Sequence, residues 1–299
     1  MTEARRDAQL RLLTHPALML ALLATQVVIM LHACWNSPAN RMDDREHLRP
    51  AMIGTWRDGF RLRPELSEPY IPVTFFSYRL DLMLFGLEPE RRENAGPGTA
   101  MERVHSSSGS AAENSIPRVP GMRVMNALYH VLAGFFLWML LLRLGAGVGL
   151  AAIVALVWTG HPMALESAAW ISERKNTLAA LFGFLSVWAL LSKPKGWRWV
   201  LSFVCFTLAL LGKPTAIGFL PVLGVVSLYL LTPDACLQAG EFRRPRLNDI
   251  AIAIAPLIFF VVPAFAVAFQ TVDSHKEWIL KPPGGSIFTA LLTDLEIVS

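Results

Sequence analysis

Asp43 and Asp44 are adjacent carboxylates that follow the first apolar run of the chain. A carboxylate at the mouth of an apolar domain can accept the proton of a hydroxyl as a new bond forms to its oxygen. Asp44 could be that base while Asp43 caps a helix or holds Arg41, or the reverse. A cationic set lies further along: Arg174 and Lys175 open one apolar run, Lys213 sits in a tight turn between two others, and Arg79 follows the acidic pair. Cations fixed at a boundary between water and hydrocarbon suit a phosphate leaving group, whose negative charge grows in the transition state. The planar fork of arginine matches phosphate oxygens especially well. His161 and Glu166 are further polar candidates for contact with a substrate. Each residue also has a plainer reading. An Asp pair in a polar loop is ordinarily solvated surface, and His161 before Pro162 can be satisfied by backbone or water. Glu166 and Glu173 can pair with Arg174 or Lys175 across helical turns, worth about a few tenths of a kcal/mol when exposed. Trp170 reads as an interfacial anchor, and Asn126 with His130, one turn apart, as an interhelical hydrogen-bonding pair.

Such residues need elements to position them, and the composition says which. Of 299 residues, 54% are hydrophobic and only 17% are charged, a balance that places the chain in a bilayer. Apolar runs recur at Ala17–Cys34, Val124–Leu144, Val148–His161, Asn176–Leu191, Trp197–Leu211, Thr215–Leu231 and Ile250–Val272. These predict about seven spans, the third and fourth short enough to be tilted or paired. Segment 1–16 holds Arg5, Arg6 and Arg11, which puts it on the cytoplasmic side and makes 17–34 a retained first helix. Arg143, then Lys193, Lys195 and Arg198, then Arg243, Arg244 and Arg246 fall on the same inner side. The outer side receives 35–121, the connection Pro162–Lys175, the turn Gly212–Pro214 and the tail 273–299. Arg174, Lys175 and Lys213 then breach the positive-inside pattern, so topology alone does not account for them.

Within 35–121, residues 68–87 alternate Tyr, Phe and Leu with Arg79 and Asp81, and Pro72 suits a first helical turn. This stretch is too short and too polar to span, and predicts a helix lying at the membrane surface. Residues 89–120 are rich in Gly, Ser, Ala, Glu and Arg without periodicity, and are expected to be a disordered insertion. The remaining region, 122–272, is a helical core of about six helices. Cys34, Cys205 and Cys236 make no disulfide framework, and no zinc spacing, phosphate loop or Ser/His/Asp signature is present. The net charge of +4 is explained by the inner loops, with no nucleic-acid reading. No cofactor is required by these residues, although Asp43, Asp44 and Glu46 are oxygen ligands of the kind a divalent cation takes.

Several local strings resemble a known family. They are Tyr70-Ile71-Pro72-Val73-Thr74-Phe75-Phe76-Ser77-Tyr78-Arg79-Leu80-Asp81, Phe85-Gly86-Leu87 and Asn126-Ala127-Leu128-Tyr129-His130. The longest runs from His161 through Glu166, Trp170 and Glu173-Arg174-Lys175 to Asn176, and Gly212-Lys213-Pro214-Thr215 follows it. In order and spacing, from Asp43 to Leu231, they resemble the bacterial relatives of the transmembrane O-mannosyltransferases with tetratricopeptide repeats. Ile71 stands where that family usually has a basic residue and Ala164 where it has a histidine, and 89–120 replaces a much shorter link. No tetratricopeptide repeats precede Ser299, so a fragment, a truncated product or a minimal member is expected. The resemblance implies an all-α polytopic membrane protein, a GT-C-like transmembrane helix bundle whose long first outer loop holds the catalytic acidic residue. It also implies hexose transfer, mannose being the expected sugar, from a polyprenyl-phosphate-linked donor to a protein or glycan acceptor, with inversion. The site would lie on the periplasmic side of a bacterial inner membrane. The alternative is a non-catalytic membrane scaffold or lipid-sugar-binding protein that keeps part of the fold.

Overall fold

Proline and glycine bound the apolar runs and so set where helices begin and end. Pro16 opens α1 (Pro16–Leu31), which tightens into a 3-10 turn at His32–Cys34. Pro72 opens α2 (Pro72–Phe85), stopped by Gly86 at φ +74°. The longest helix is α3 (Val119–Arg143). It ends on Gly145 at φ +86°, where Gly145 N–H donates to Leu142 and Ala146 N–H to Leu141. That paired closure needs a left-handed residue, which glycine adopts without a Cβ penalty. Then follow α4 (Val148–Gly160), α5 (Pro162–Ala169), α6 (Arg174–Leu190), α7 (Lys195–Gly212), a 3-10 turn Pro214–Gly218, and α8 (Phe219–Leu231). This computed structural model describes residues 15–35, 48, 56–57, 70–89, 115–117, 119–191, 195–231, 260–267 and 269, of which 260–267 are helical.

The architecture is helical, with one antiparallel ribbon among the described residues, β1 (Leu87–Pro89) against β2 (Ser115–Pro117). The ribbon corrects the expectation that 89–120 is without structure throughout. Its two ends are zipped together by backbone hydrogen bonds, and α3 begins at Val119 rather than at residue 122. The excursion therefore leaves and returns at one point, and 90–114 lie outside the described residues.

Helix α6 is the axis of the packing, lying against α3 on one side and α7 on the other, while α3 also carries α1 and α4. Small residues permit the close approaches. A Cβ on Gly134 would meet the Thr159 methyl, and one on Gly183 would meet the Phe219 ring. Between α6 and α7, Ser186 Oγ donates to the Ser202 carbonyl at 2.8 Å. Polar side chains join the largely apolar interior, while many apolar ones stay on the outside. Asn126, His130, Thr159, Ser186 and Ser202 are buried, whereas Val28, Ile29, Leu150, Ile153, Val157, Val200 and Val225 face outward. Residues 120–143 of α3 are long and apolar enough to cross a membrane alone; α4 and α5 reach that size together but bend by 56° at His161. The other apolar helices searched, Pro16–Leu31, Trp197–Gly212 and Pro214–Ser227, are shorter.

Candidate active site

Helix α2 shows how the sequence builds one end of this fold. Thr74, Ser77, Tyr78 and Asp81 recur at the spacing of a single helical stripe and are all buried, while Leu80, Met83 and Leu84 are exposed. The polar face thus points at the other helices and the apolar face away from them. Thr74 Oγ1 donates to the Gly212 carbonyl at 2.9 Å, fixing the start of α2 beside the end of α7. Tyr78 Oη donates to the Ile171 carbonyl at 2.8 Å, tying α2 to the bend between α5 and α6. From the start of α3, Arg123 Nη1 donates to the Trp35 carbonyl and Asn126 Nδ2 to the Trp170 carbonyl. The ends of α1, α5 and α7 and the starts of α2, α3 and α6 therefore meet at one end of the bundle.

Arg174 is the centre of the buried layer. Its Nη2 lies 2.5 Å from Asp81 Oδ2, and both side chains are 0% exposed. Its Nε donates to Asn126 Oδ1 at 2.5 Å, Nη2 to the Met122 carbonyl at 3.0 Å, and Nη1 to Ser77 Oγ at 3.4 Å. The rings of Tyr78 and Tyr129 flank the guanidinium at 4.8 and 5.7 Å. The Asp81 contact is a close charge pair without hydrogen-bond alignment, and neither carboxylate oxygen accepts a hydrogen bond from a described residue. Burial pushes the Asp81 carboxyl up from its ordinary value, and the nearby charge of Arg174 offsets part of that.

A second, half-buried layer lies at the start of α6. Asn176 Nδ2 donates to Glu173 Oε2 at 2.6 Å and to Ser167 Oγ at 3.0 Å, while Asn176 Oδ1 accepts from Lys213 Nζ. Lys175 Nζ sits 3.1 Å from Glu173 Oε1. Two ammonium groups are thereby held around one carboxylate, leaving net positive charge where solvent still reaches. Burial pushes the Lys213 amine below its ordinary value, the Glu173 charge opposing this and Lys175 adding to it.

The structure thus brings together Lys175 and Lys213, but it gives Arg174 a different environment from the expected one. Its guanidinium is neutralised by Asp81 and closed off from solvent, because the only carboxylate on the inward face of α2 lies against it. Arg79 is half-buried, 5.2 Å from the centre of the Trp56 ring, and that ring stacks on Phe76. His161 and Glu166 are exposed, and among the described residues no hydrogen bond of either side chain joins them to the network. Asn126 makes the interhelical hydrogen bonds its spacing suggests, and His130 Nε2 lies 2.9 Å from the Thr159 carbonyl. Asp43, Asp44 and Glu46 lie outside the described residues. Among the described residues no group of three or more His, Cys, Asp or Glu side chains is placed to hold a metal ion. Asp81, Ser167 and Asn176 were not singled out from the sequence as parts of this network; the polar stripe on α2 is the signal that points to Asp81. Comparison with protein-family models, with curated proteins and with solved structures gives no match.

Proposed function

We propose that the chain is a membrane glycosyltransferase of the GT-C class, moving a hexose from a polyprenyl-phosphate donor to a protein hydroxyl or another periplasmic acceptor. The observation that carries this reading is the convergence of the strings that bear the family resemblance. Tyr78 and Asp81, then Asn126, then Arg174 and Asn176, then Lys213 come from four separate stretches and join two stacked polar layers at one end of the helices. The outward apolar side chains of α1, α4, α7 and α8 support a bilayer around the remaining length; in this reading the polar end lies on the periplasmic side.

In this reading the acceptor oxygen attacks the anomeric carbon as the bond from that carbon to the phosphate oxygen breaks, which inverts the centre. Asp43 or Asp44 takes the acceptor proton. Lys175 and Lys213 face the charge gathering on the departing lipid phosphate, and Arg174 with Asp81 holds the helix ends that carry them. A non-catalytic lipid-sugar-binding protein is the second reading, favoured by one observation: the cation best shaped for phosphate, Arg174, is already paired and buried. Purified protein in detergent, supplied with a panel of radiolabelled polyprenyl-phosphate sugars and a hydroxyl acceptor, separates the two. Transfer from one donor supports the enzyme. Binding of that donor without transfer supports the second reading.

A further inference from the structure

Glu173 lies between the two lysines that the proposed donor phosphate needs. Its Oε1 is 3.1 Å from Lys175 Nζ, and its Oε2 accepts from Asn176, whose own Oδ1 holds Lys213. The pair is not sealed: the Lys175 side chain is 15% exposed and that of Glu173 27%. Asn176, by contrast, is anchored from behind by Ser167. A carboxylate so placed is an anion already occupying the cationic site.

We infer that Glu173 is an internal competitor of the lipid phosphate, releasing Lys175 when the phosphate group binds and so setting the affinity of the site. The inference rests on the proposed function in taking a phosphate group as ligand, and adds a specificity-determining role for a residue outside the reacting centre. One carboxylate and one phosphate cannot both take the same ammonium at close range without like-charge repulsion. Glu173 therefore weakens phosphate binding in the resting site while keeping the two lysines from repelling each other when it is empty. The Lys213 amine is lowered chiefly by burial; Glu173 raises it and Lys175 lowers it further, as two cations on either side of one carboxylate would.

The test is the affinity of the purified full chain in detergent for farnesyl phosphate, with inorganic phosphate as a second probe. Glu173→Gln keeps the side-chain shape and one acceptor oxygen but removes the charge. It is expected to bind farnesyl phosphate about tenfold tighter than the parent, the effect of freeing Lys175 from a competing ion pair worth about one log unit. The gain belongs to the phosphate group, so the same ratio is expected with inorganic phosphate, while the preference for farnesyl phosphate measures the lipid tail. In a Lys175→Met background the gain should vanish, because the contested ammonium is gone; a purely structural Glu173 would not produce that coupling. If Glu173→Gln does not fold, Glu173→Asp, which draws the carboxylate back by one methylene, is expected to bind more tightly than the parent. Unchanged or weaker binding in these variants, with the parent binding normally, would overturn the inference and leave the proposed function standing. Absence of phosphate binding in the parent and in Glu173→Gln alike would overturn both.

Discussion

Replacing Asp81 by Asn leaves the Arg174 guanidinium in place and removes the only carboxylate beside it among the described residues. Both side chains are 0% exposed, so water cannot take over the lost partner. Breaking a buried pair from one side costs about 3–5 kcal/mol, chiefly because the surviving charge is stranded. Here Asn126, Ser77 and the Met122 carbonyl still hold Arg174, and Tyr78 and Tyr129 still present their ring faces. These contacts put the loss toward the lower end, about 3 kcal/mol or roughly a hundredfold in the unfolding equilibrium. Unfolding in mixed micelles of mild detergent and dodecyl sulfate, followed by tryptophan fluorescence, measures it. The double variant Asp81→Leu with Arg174→Met should lose less than the sum of the single variants, because both charges leave together. A loss below about 1 kcal/mol for Asp81→Asn, or simple additivity in the double variant, would refute the view that this pair organises the helix ends.

Other outcomes follow from the same geometry. Gly183→Ala places a methyl against the Phe219 ring and should cost about 1–3 kcal/mol by the same unfolding assay, recovered in part by Phe219→Leu. The Lys213 amine, lowered by burial from its ordinary 10.5, should be acetylated faster than Lys175 at pH 8 when followed by peptide mass spectrometry. Its folded state binds fewer protons than its unfolded state in the window between the lowered value and 10.5, so stability should rise with pH across that window. Lys213→Met should remove that slope, as read from unfolding midpoints over a pH series.

The positions of several helices could be read from the chain because local rules decide them. Pro72 at the start of α2 and the Gly-rich end of α3 are set within a few residues, and the apolar runs coincide with α1, α3, α4, α6, α7 and α8. What could not be read was which charges find each other. Arg174 follows Glu173 and precedes Lys175, three neighbours that look alike as boundary charges in a string of letters. On a helix they point in different directions, so Arg174 enters the interior while Glu173 and Lys175 stay half-buried. Asp81 was visible only as one acidic residue in an aromatic stretch. Its meaning appears with Thr74, Ser77 and Tyr78 as a stripe that faces inward when the apolar side of the helix faces out. The short ribbon joining Leu87–Pro89 to Ser115–Pro117 was hidden for another reason, since pairing across a long insertion leaves no local periodicity. Of the candidate site, Lys175 and Lys213 were recognisable by type and by their breach of the positive-inside pattern; Asn176 and Ser167, which connect them to the fold, are uncharged and carry no such signal.

In the proposed glycosyltransferase, the polar end of these helices serves sugar transfer driven by an acidic residue after the first helix. The most direct measurement compares transfer from the preferred polyprenyl-phosphate sugar by the parent, Asp43→Asn, Asp44→Asn and the double variant, each checked for folding in the same detergent. Loss of one positioned general base is worth roughly 10²–10⁴-fold in rate, so one single variant should fall by that amount and the double variant no further. Full transfer by the double variant would show that neither aspartate is the base.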